Sequence, residues 1–156
     1  MSMLEQVKAL VREVALREVT PRFLKVAHSH KADGSLFTEA DAATQAALEA
    51  TLPQIRDVPV LGEEMTERQQ HDAWDAGRDG LWCVDPIDGT SNFLHSIPHF
   101  AISIAVQEPK PGGQGWGEIT QGLVYNPITD ESFWTEKGRG AWLNERRLRV
   151  SARRTL

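Results

Sequence analysis

The sequence lacks the features that mark disulfide-stabilised, secreted or membrane-spanning proteins. Cys83 is its only cysteine, so a disulfide within the chain and a cysteine metal cluster are both excluded. No window approaches the roughly eighteen continuous apolar residues of a membrane span. Charges interrupt residues 1–16, which have neither the apolar core nor the cleavage site of a signal peptide. We therefore expect a cytoplasmic protein with no membrane partner.

An excess of positive charge is also missing. The chain carries 17 Lys and Arg against 22 Asp and Glu, a formal net charge of -5, so we expect no direct contact with nucleic acid. Its 156 residues, 40% of them apolar, suffice for one domain with a sizeable core and are too few for two comfortable ones. We therefore treat residues 1–156 as a single domain.

Two helices are predicted in the first third of the chain. Apolar residues recur every three or four positions from Leu4, which predicts a helix with one buried stripe that ends or kinks at Pro21. A second helix is predicted from Thr38, where the hydroxyl and the acid at Asp41 have the spacing of a helix cap, to about Pro53.

The rest of the chain predicts mainly strands and turns. Residues 28–37 are predicted as a loop with a tight turn at Asp33–Gly34, and the polar residues 67–80 as a surface connection that can include a helical turn. Strands are predicted within residues 58–62, 80–85, 99–106, 118–126 and 131–138, with a final hairpin within 140–150. Two helices followed by an antiparallel meander predict an α+β fold in which the helices pack on one sheet face.

Acidic residues gather where the predicted strands and helices meet. Asp41 lies in the capping turn of the second helix, Glu63 and Glu64 end one strand, and Asp85 and Asp88 follow another. Carboxylates brought to one rim of a sheet repel each other unless a cation lies among them. Magnesium is held by a few carboxylates together with water and substrate phosphate, so this pattern favours a magnesium site.

The spacing within the segment Asp-Pro-Ile-Asp-Gly-Thr, residues 85–90, suits such a site. Pro86 restricts the aspartate before it to an extended backbone, which limits the directions in which that carboxylate can point. A turn here can offer the Ile87 carbonyl as a further oxygen ligand, and Gly89 permits a sharp bend. Thr90 can then orient a water molecule or cap a short helix.

Two other acidic motifs fail on spacing, whereas an ordinary turn does not. An EF-hand loop that begins at Asp85 needs a glutamate at its twelfth position, where this chain has Ser96. Phosphatases that form an aspartyl-phosphate resemble Asp-x-Asp-Gly-Thr, and here the second aspartate lies one residue further on. A plain Asp-Gly surface turn explains residues 85–90 equally well when they are taken alone.

Taken together, the motifs resemble the inositol monophosphatase family of magnesium-dependent, lithium-sensitive phosphatases. The resemblance covers nearly the whole chain in matching order, and the combination is highly specific. The segments that carry it are KADGSLFTEAD (31–41), GEE (62–64), DPIDGTSNF (85–93), HFAISIAV (99–106), ITQGLVYNP (119–127) and GRGAWLN (138–144). Within that superfamily, the Gly-Thr-Ser-Asn-Phe sequence at 89–93 is more similar to the inositol monophosphatase branch than to the nucleotide-bisphosphate branch.

The resemblance implies a role for each motif position. It implies two or three Mg²⁺ ions, whose matching ligands are Glu64, Asp85, the Ile87 carbonyl and Asp88. The positions that match the surroundings of the attacking water are Asp41, Glu63 and Thr90. The backbone of Gly89 and Thr90 matches the segment that meets the phosphate.

The implied reaction is hydrolysis of a small polyol phosphate, such as inositol monophosphate, by direct attack of water. A relative that acts on histidinol phosphate, a sugar bisphosphate or a nucleotide bisphosphate remains an alternative. So does a non-catalytic interaction module, since some bacterial relatives also act as partners of the transcription machinery.

Family members are nearly twice as long as this chain. The resemblance therefore implies that residues 1–156 form the N-terminal half of an αβαβα layered sandwich, and that a second half supplies another metal ligand and most contacts to the alcohol. We expect the chain alone to bind magnesium weakly and to turn over poorly. An uncovered apolar sheet face would favour self-association, for which a homodimer is our expectation.

Overall fold

The computed structural model describes residues 1–23, 25, 28–30, 36–109 and 117–153. The helices in this part of the chain are α1 (Met3–Val14), α2 (Glu39–Ile55), α3 (Glu67–Ala76) and α4 (Thr90–Leu94). The strands are β1 (His28–His30), β2 (Leu36–Thr38), β3 (Val60–Gly62), β4 (Leu81–Asp88), β5 (Ala101–Glu108), β6 (Glu118–Asn126), β7 (Glu131–Glu136), β8 (Gly140–Leu143) and β9 (Arg146–Arg147). This arrangement confirms the α+β fold class.

The residues before α2 differ from the predicted loop. β1 and β2 pair antiparallel as a small separate sheet, whereas the sequence suggested no strands there. The turn predicted at Asp33–Gly34 lies outside the described residues.

A seven-stranded sheet, in the order β3-β4-β5-β6-β7-β8-β9, forms the centre of the described fold. The prediction of a wholly antiparallel sheet is wrong at one edge, because β3 runs parallel to β4. Parallel neighbours need a long crossover, which is usually helical. The crossover here contains α3, whose 10 residues exceed the single helical turn suggested for residues 67–80, whereas the predicted surface position is confirmed because none of its residues is buried.

The N-terminal helices cover one face of this sheet. A capping box between Ser2 and Glu5 starts α1, which continues into the π-helical segment Ala15–Val19. Helix α2 runs through Pro53, two residues beyond the predicted end, and its last turn is closed by a backbone bond from Arg56 to Leu52. Alternate residues of the central strands pack against these helices in the core, among them Trp82, Ile102, Ile104, Val106 and Leu123.

The opposite sheet face carries smaller or more exposed side chains. Ser103 and Ala105 of β5 are partly exposed, and Val124 of β6 and Phe133 of β7 each retain 40% of their accessible surface. Because β-strand side chains alternate between faces, this is the side away from α1 and α2. Within the described residues, part of this face is therefore exposed beside the strand ends that carry the predicted site.

None of the helices in the described residues combines the length and the apolar character that crossing a membrane requires.

Candidate active site and metal centre

A bulge in β4 brings the two aspartates of the 85–90 motif to one face of the sheet. Asp85 pairs with Ser103 and Asp88 pairs with Ala101, so three steps along β4 match two steps along β5. In a regular strand, residues three apart point to opposite faces, whereas one extra residue restores the same face. The predicted end of the strand at Asp85 is therefore wrong, and the strand continues through the bulge to Asp88.

The carboxyl group of Asp85 is crowded by other acids. Burial, followed by the charges of Glu63 and Asp88, raises the pKa of Asp85 to about 7, although the backbone N–H of Ile87 acts in the opposite direction. Its Oδ1 atom is buried without a hydrogen-bond partner. A buried carboxylate oxygen with no donor is costly, and a cation is the partner that would satisfy it.

Asp41 is buried among donors instead. Its Oδ2 accepts hydrogen bonds from the Thr38 backbone N–H at 2.9 Å and from the Thr38 hydroxyl, which completes the capping box of α2. Its Oδ1 lies 3.1 Å from Thr90 Oγ1. Burial raises the pKa of Asp41, while the bonds from Thr38 and Thr90 act to lower it.

Thr90 connects the two acidic regions. Its Oγ1 lies 3.0 Å from the Ile87 carbonyl oxygen as well as 3.1 Å from Asp41 Oδ1, so its single proton can serve either acceptor. The Ile87 side chain is itself in the core, only 1% exposed, which holds that carbonyl in place. Residues 41, 87 and 90 are thus brought together, and their roles in a shared site remain a prediction.

Gly89 makes the bend between Asp88 and Thr90 possible. Its φ of 91° lies in the left-handed region, and a Cβ at this position would lie 3.2 Å from the His99 carbonyl oxygen. Both the backbone angle and the lack of space favour glycine. This outcome agrees with the predicted sharp bend at Gly89.

The predicted residues divide between two adjacent clefts. The larger, of about 680 Å³, is lined by Glu63 and Asp85, whereas Asp88 and Gly89 line another of about 330 Å³. Glu64 is half-buried and lines neither cleft. Within the described part of the chain, no three His, Cys, Asp or Glu side chains converge closely enough to hold a metal ion.

The donor chemistry nevertheless fits Mg²⁺. Glu63 and Asp88 both act electrostatically on Asp85, and Asp85 presents a buried oxygen without a donor. Hard oxygen ligands of this kind are those that Mg²⁺ prefers. The ligand set Glu64, Asp85, Ile87 carbonyl and Asp88 remains a prediction.

The sequence did not predict that residues of α3 line one side of the larger cleft. Gln70 and Trp74 line that cleft, and Gln45 of α2 lies against Gly62 below it. A signal was present, because Thr66 and Gln69 have the spacing of a capping box and form one at the start of α3. No comparable signal in the sequence identifies Gln45.

Known proteins with similar sequences include inositol monophosphatases and a Nus factor. The sequence profile of the inositol monophosphatase family matches residues 2–156. An inositol-1-monophosphatase of Caulobacter vibrioides is 44% identical over 129 residues, which are 82% of this chain and 46% of that protein. The Nus factor SuhB of Pseudomonas aeruginosa is 48% identical over 80 residues, which are 51% of this chain and 27% of that protein.

A solved structure has the same architecture. The IMPase of Thermotoga maritima superposes with a TM-score of 0.78 at 30% identity, covering 97% of this chain and 55% of that one. This chain therefore spans about half of the length of the proteins that it matches. The profile match over nearly every residue, and a shared fold that carries the acidic motifs, lead to one conclusion: the chain belongs to the inositol monophosphatase family.

Proposed function

We propose that this chain is the N-terminal, metal-binding part of a magnesium-dependent phosphomonoesterase that hydrolyses a small polyol phosphate such as inositol monophosphate. The observation that carries the proposal is the β4 bulge, which places Asp85 and Asp88 on one sheet face beside Glu63. Membership of a phosphatase family and similarity to curated inositol-1-monophosphatases support it.

In this proposal, Glu64, Asp85, Asp88 and the Ile87 carbonyl hold Mg²⁺. The ion would supply positive charge that stabilises the phosphate and would lower the pKa of a water molecule. The protein side of the site has two tasks. The acidic residues create a field that attracts a cation, as the raised pKa of Asp85 indicates. The backbone of Gly89 and Thr90 orients the phosphate so that the bond to the alcohol faces away from the attacking water.

Thr90 and Asp41 provide a path for the proton of that water. The water gives a proton to Thr90 Oγ1, which passes its own proton to Asp41 Oδ1, 3.1 Å away. Burial raises the pKa of Asp41, so its carboxylate holds a proton more readily than an exposed aspartate does. Glu63 accepts a hydrogen bond from the same water. The water oxygen bonds to phosphorus as the alcohol leaves, and the alkoxide takes a proton from solvent.

The experiment uses the protein translated from the whole gene. It should release phosphate from inositol 1-phosphate with Mg²⁺, and oxygen from labelled water should appear in that phosphate. Asp88→Asn should lower the rate on the order of 100-fold, since it removes an acceptor for the cation without changing side-chain shape. Label in the alcohol would contradict direct attack, and an unchanged rate would contradict the role of Asp88.

A panel of phosphate esters identifies the preferred substrate. Histidinol phosphate, a sugar bisphosphate and a nucleotide bisphosphate are the competitors, and faster hydrolysis of one of these would replace inositol monophosphate in the proposal. The same preparation tests our proposals of a homodimer, by sedimentation, and of lithium sensitivity, by inhibition of phosphate release. Cytoplasmic location is checked by fractionation.

A non-catalytic role is the second candidate, because of the similarity to a protein named as a Nus factor. An interaction module would keep its cellular function in the Asp88→Asn variant, whereas a phosphatase would lose it. Complementation of a strain that lacks the gene, with wild type and variant expressed at equal levels, distinguishes the two.

A further inference from the structure

The turn that carries Glu63 and Glu64 has little support from the sheet. It follows β3, a three-residue edge strand whose neighbour among the described residues is β4. The last ladder bond runs from the Glu63 backbone N–H to the Val84 carbonyl oxygen, at 3.1 Å. Beyond that bond, the backbone of the turn must find partners outside the sheet.

Gln70 supplies these partners from α3. Its side-chain Nε2 donates to the carbonyl oxygen of Gly62 at 3.1 Å and to that of Glu63 at 3.2 Å. A primary amide has two N–H donors, so both bonds can exist at once. The Met65 backbone N–H adds only a longer bond to the Gly62 carbonyl, at 3.4 Å.

A second glutamine closes the opposite side of the turn. A Cβ at Gly62 would lie 1.6 Å from Gln45 Nε2, so the backbone of β3 packs directly on the Gln45 side chain. Gln45 is 4% exposed and belongs to α2, which also carries Asp41. The backbone at residue 62 is therefore held between α2 and α3, and Gln70 is the contact that reaches the carbonyl of Glu63.

We propose that Gln70 is a positioning residue that fixes the Glu63–Glu64 turn relative to Asp85, and so sets the affinity of the site for Mg²⁺. This inference rests on the proposed function. The side chain of Glu63 interacts with Asp85, and its direction depends on the backbone that Gln70 holds. Losing two hydrogen bonds loosens the backbone from which that carboxylate projects, and so changes its position relative to Asp85.

The test compares Gln70→Met with Gln69→Met. Methionine resembles glutamine in length and helix propensity but has no donor. Gln69 lies next to Gln70 and caps α3 through Thr66, so its replacement weakens the helix without touching the turn. Unfolding in urea and circular dichroism establish that both variants fold.

Two readouts are expected to separate the variants. Hydrogen exchange at the Glu63 amide should be roughly tenfold faster in Gln70→Met than in wild type, and unchanged in Gln69→Met. Calorimetric titration with Mg²⁺ alone, on the protein translated from the whole gene, should give a dissociation constant raised roughly tenfold or more in Gln70→Met only.

The possible results distinguish a failure of the role proposed for Gln70 from a failure of the proposed function. Equal exchange rates at Glu63 in Gln70→Met and wild type, equal Mg²⁺ affinities, or the same losses in Gln69→Met would each overturn the role of Gln70. A wild-type protein that binds no Mg²⁺ would overturn the proposed function and the metal part of this inference, while the exchange comparison still decides whether Gln70 holds the turn.

Discussion

Asp41 and Asp85 are two acids withdrawn from solvent at the same end of the fold, yet their surroundings differ in kind. Asp41 is 1% exposed, and both of its oxygens accept hydrogen bonds from threonines. Asp85 is partly exposed, has an oxygen without a donor, and lies beside two other acids. Burial raises the pKa of both, but donors counteract it chiefly at Asp41.

The difference shows which acid stabilises the fold and which one strains it. The bonds of Asp41 join the start of α2 to Thr90, so removing this carboxylate breaks contacts. Asp85 is repelled by Glu63 and Asp88, so neutralising it relieves a cost. Unfavourable electrostatics retained in a cleft are typical of a binding site, where a ligand supplies the missing charge.

The largest expected effect is the loss of stability in Asp41→Ala. The change removes the capping partner of Thr38 and leaves the Thr90 hydroxyl without this acceptor, so we expect the free energy of unfolding to fall by about 3 kcal/mol. Urea unfolding of the chain measures it. A loss similar to that of Glu39→Ala, an exposed acid in the same helical turn, would contradict the role of Asp41.

Asp85→Asn is expected to raise the free energy of unfolding at neutral and alkaline pH, whereas Asp41→Ala lowers it. The folded-state pKa of about 7 lies above the ordinary value of 3.8, so the folded chain binds more protons than the unfolded chain between these values. The free energy of unfolding of wild type should therefore fall as pH rises from about 4 through 7.

Asp85→Asn should lack that decline and be more stable at pH 8 without divalent cations by about 1 to 2 kcal/mol, a figure discounted for solvent screening. Urea unfolding at several pH values measures it. Mg²⁺ should stabilise wild type and leave the variant unchanged. If Asp85→Asn is less stable than wild type at pH 8, the prediction is wrong, and Asp85 stabilises the fold as Asp41 does.

The smallest expected loss of stability is that of Thr90→Val. Thr90→Val keeps the shape of the side chain and removes the hydroxyl that reaches Asp41 and Ile87, so we expect a loss of about 1 kcal/mol. Thr90→Ser should restore the lost stability. If valine and serine unfold at the same urea concentration, the hydroxyl does not link the two regions.

Helices α1 and α2 and most strands were predictable, because apolar periodicity and capping residues are local signals. Helix α3 was missed because most of its residues are polar and none of them is buried, although the Thr66–Gln69 cap was present. The parallel pairing of β3 with β4 depends on that helix as a crossover, so one local error also caused the error in topology.

The site was only partly predictable for a similar reason. The motif residues were identified from their spacing together with the family resemblance, but a regular strand would have placed Asp85 and Asp88 on opposite faces. Their common face depends on the register of β4 against β5, which involves Ala101 and Ser103 far along the chain. The support from Gln70 depends on how α3 packs, which residue types alone do not reveal.

The amino-acid sequence by itself determined the α+β pattern and the family, and it placed acids, a proline, a glycine and a threonine at intervals that predict a site for a cation and a phosphate. Only the tertiary structure decided which acid has hydrogen-bond donors for both oxygens and which lies beside other acids with an oxygen that lacks a donor. Hydrogen-bond donors reach Asp41 through the helix cap and Thr90, whereas the β4 bulge and the β3 turn bring further negative charge to Asp85. The helix cap at Thr38 and Asp41 is local, but the contact of Asp41 with Thr90 and that of Asp85 with Glu63 join segments distant in the chain, so packing between segments sets them.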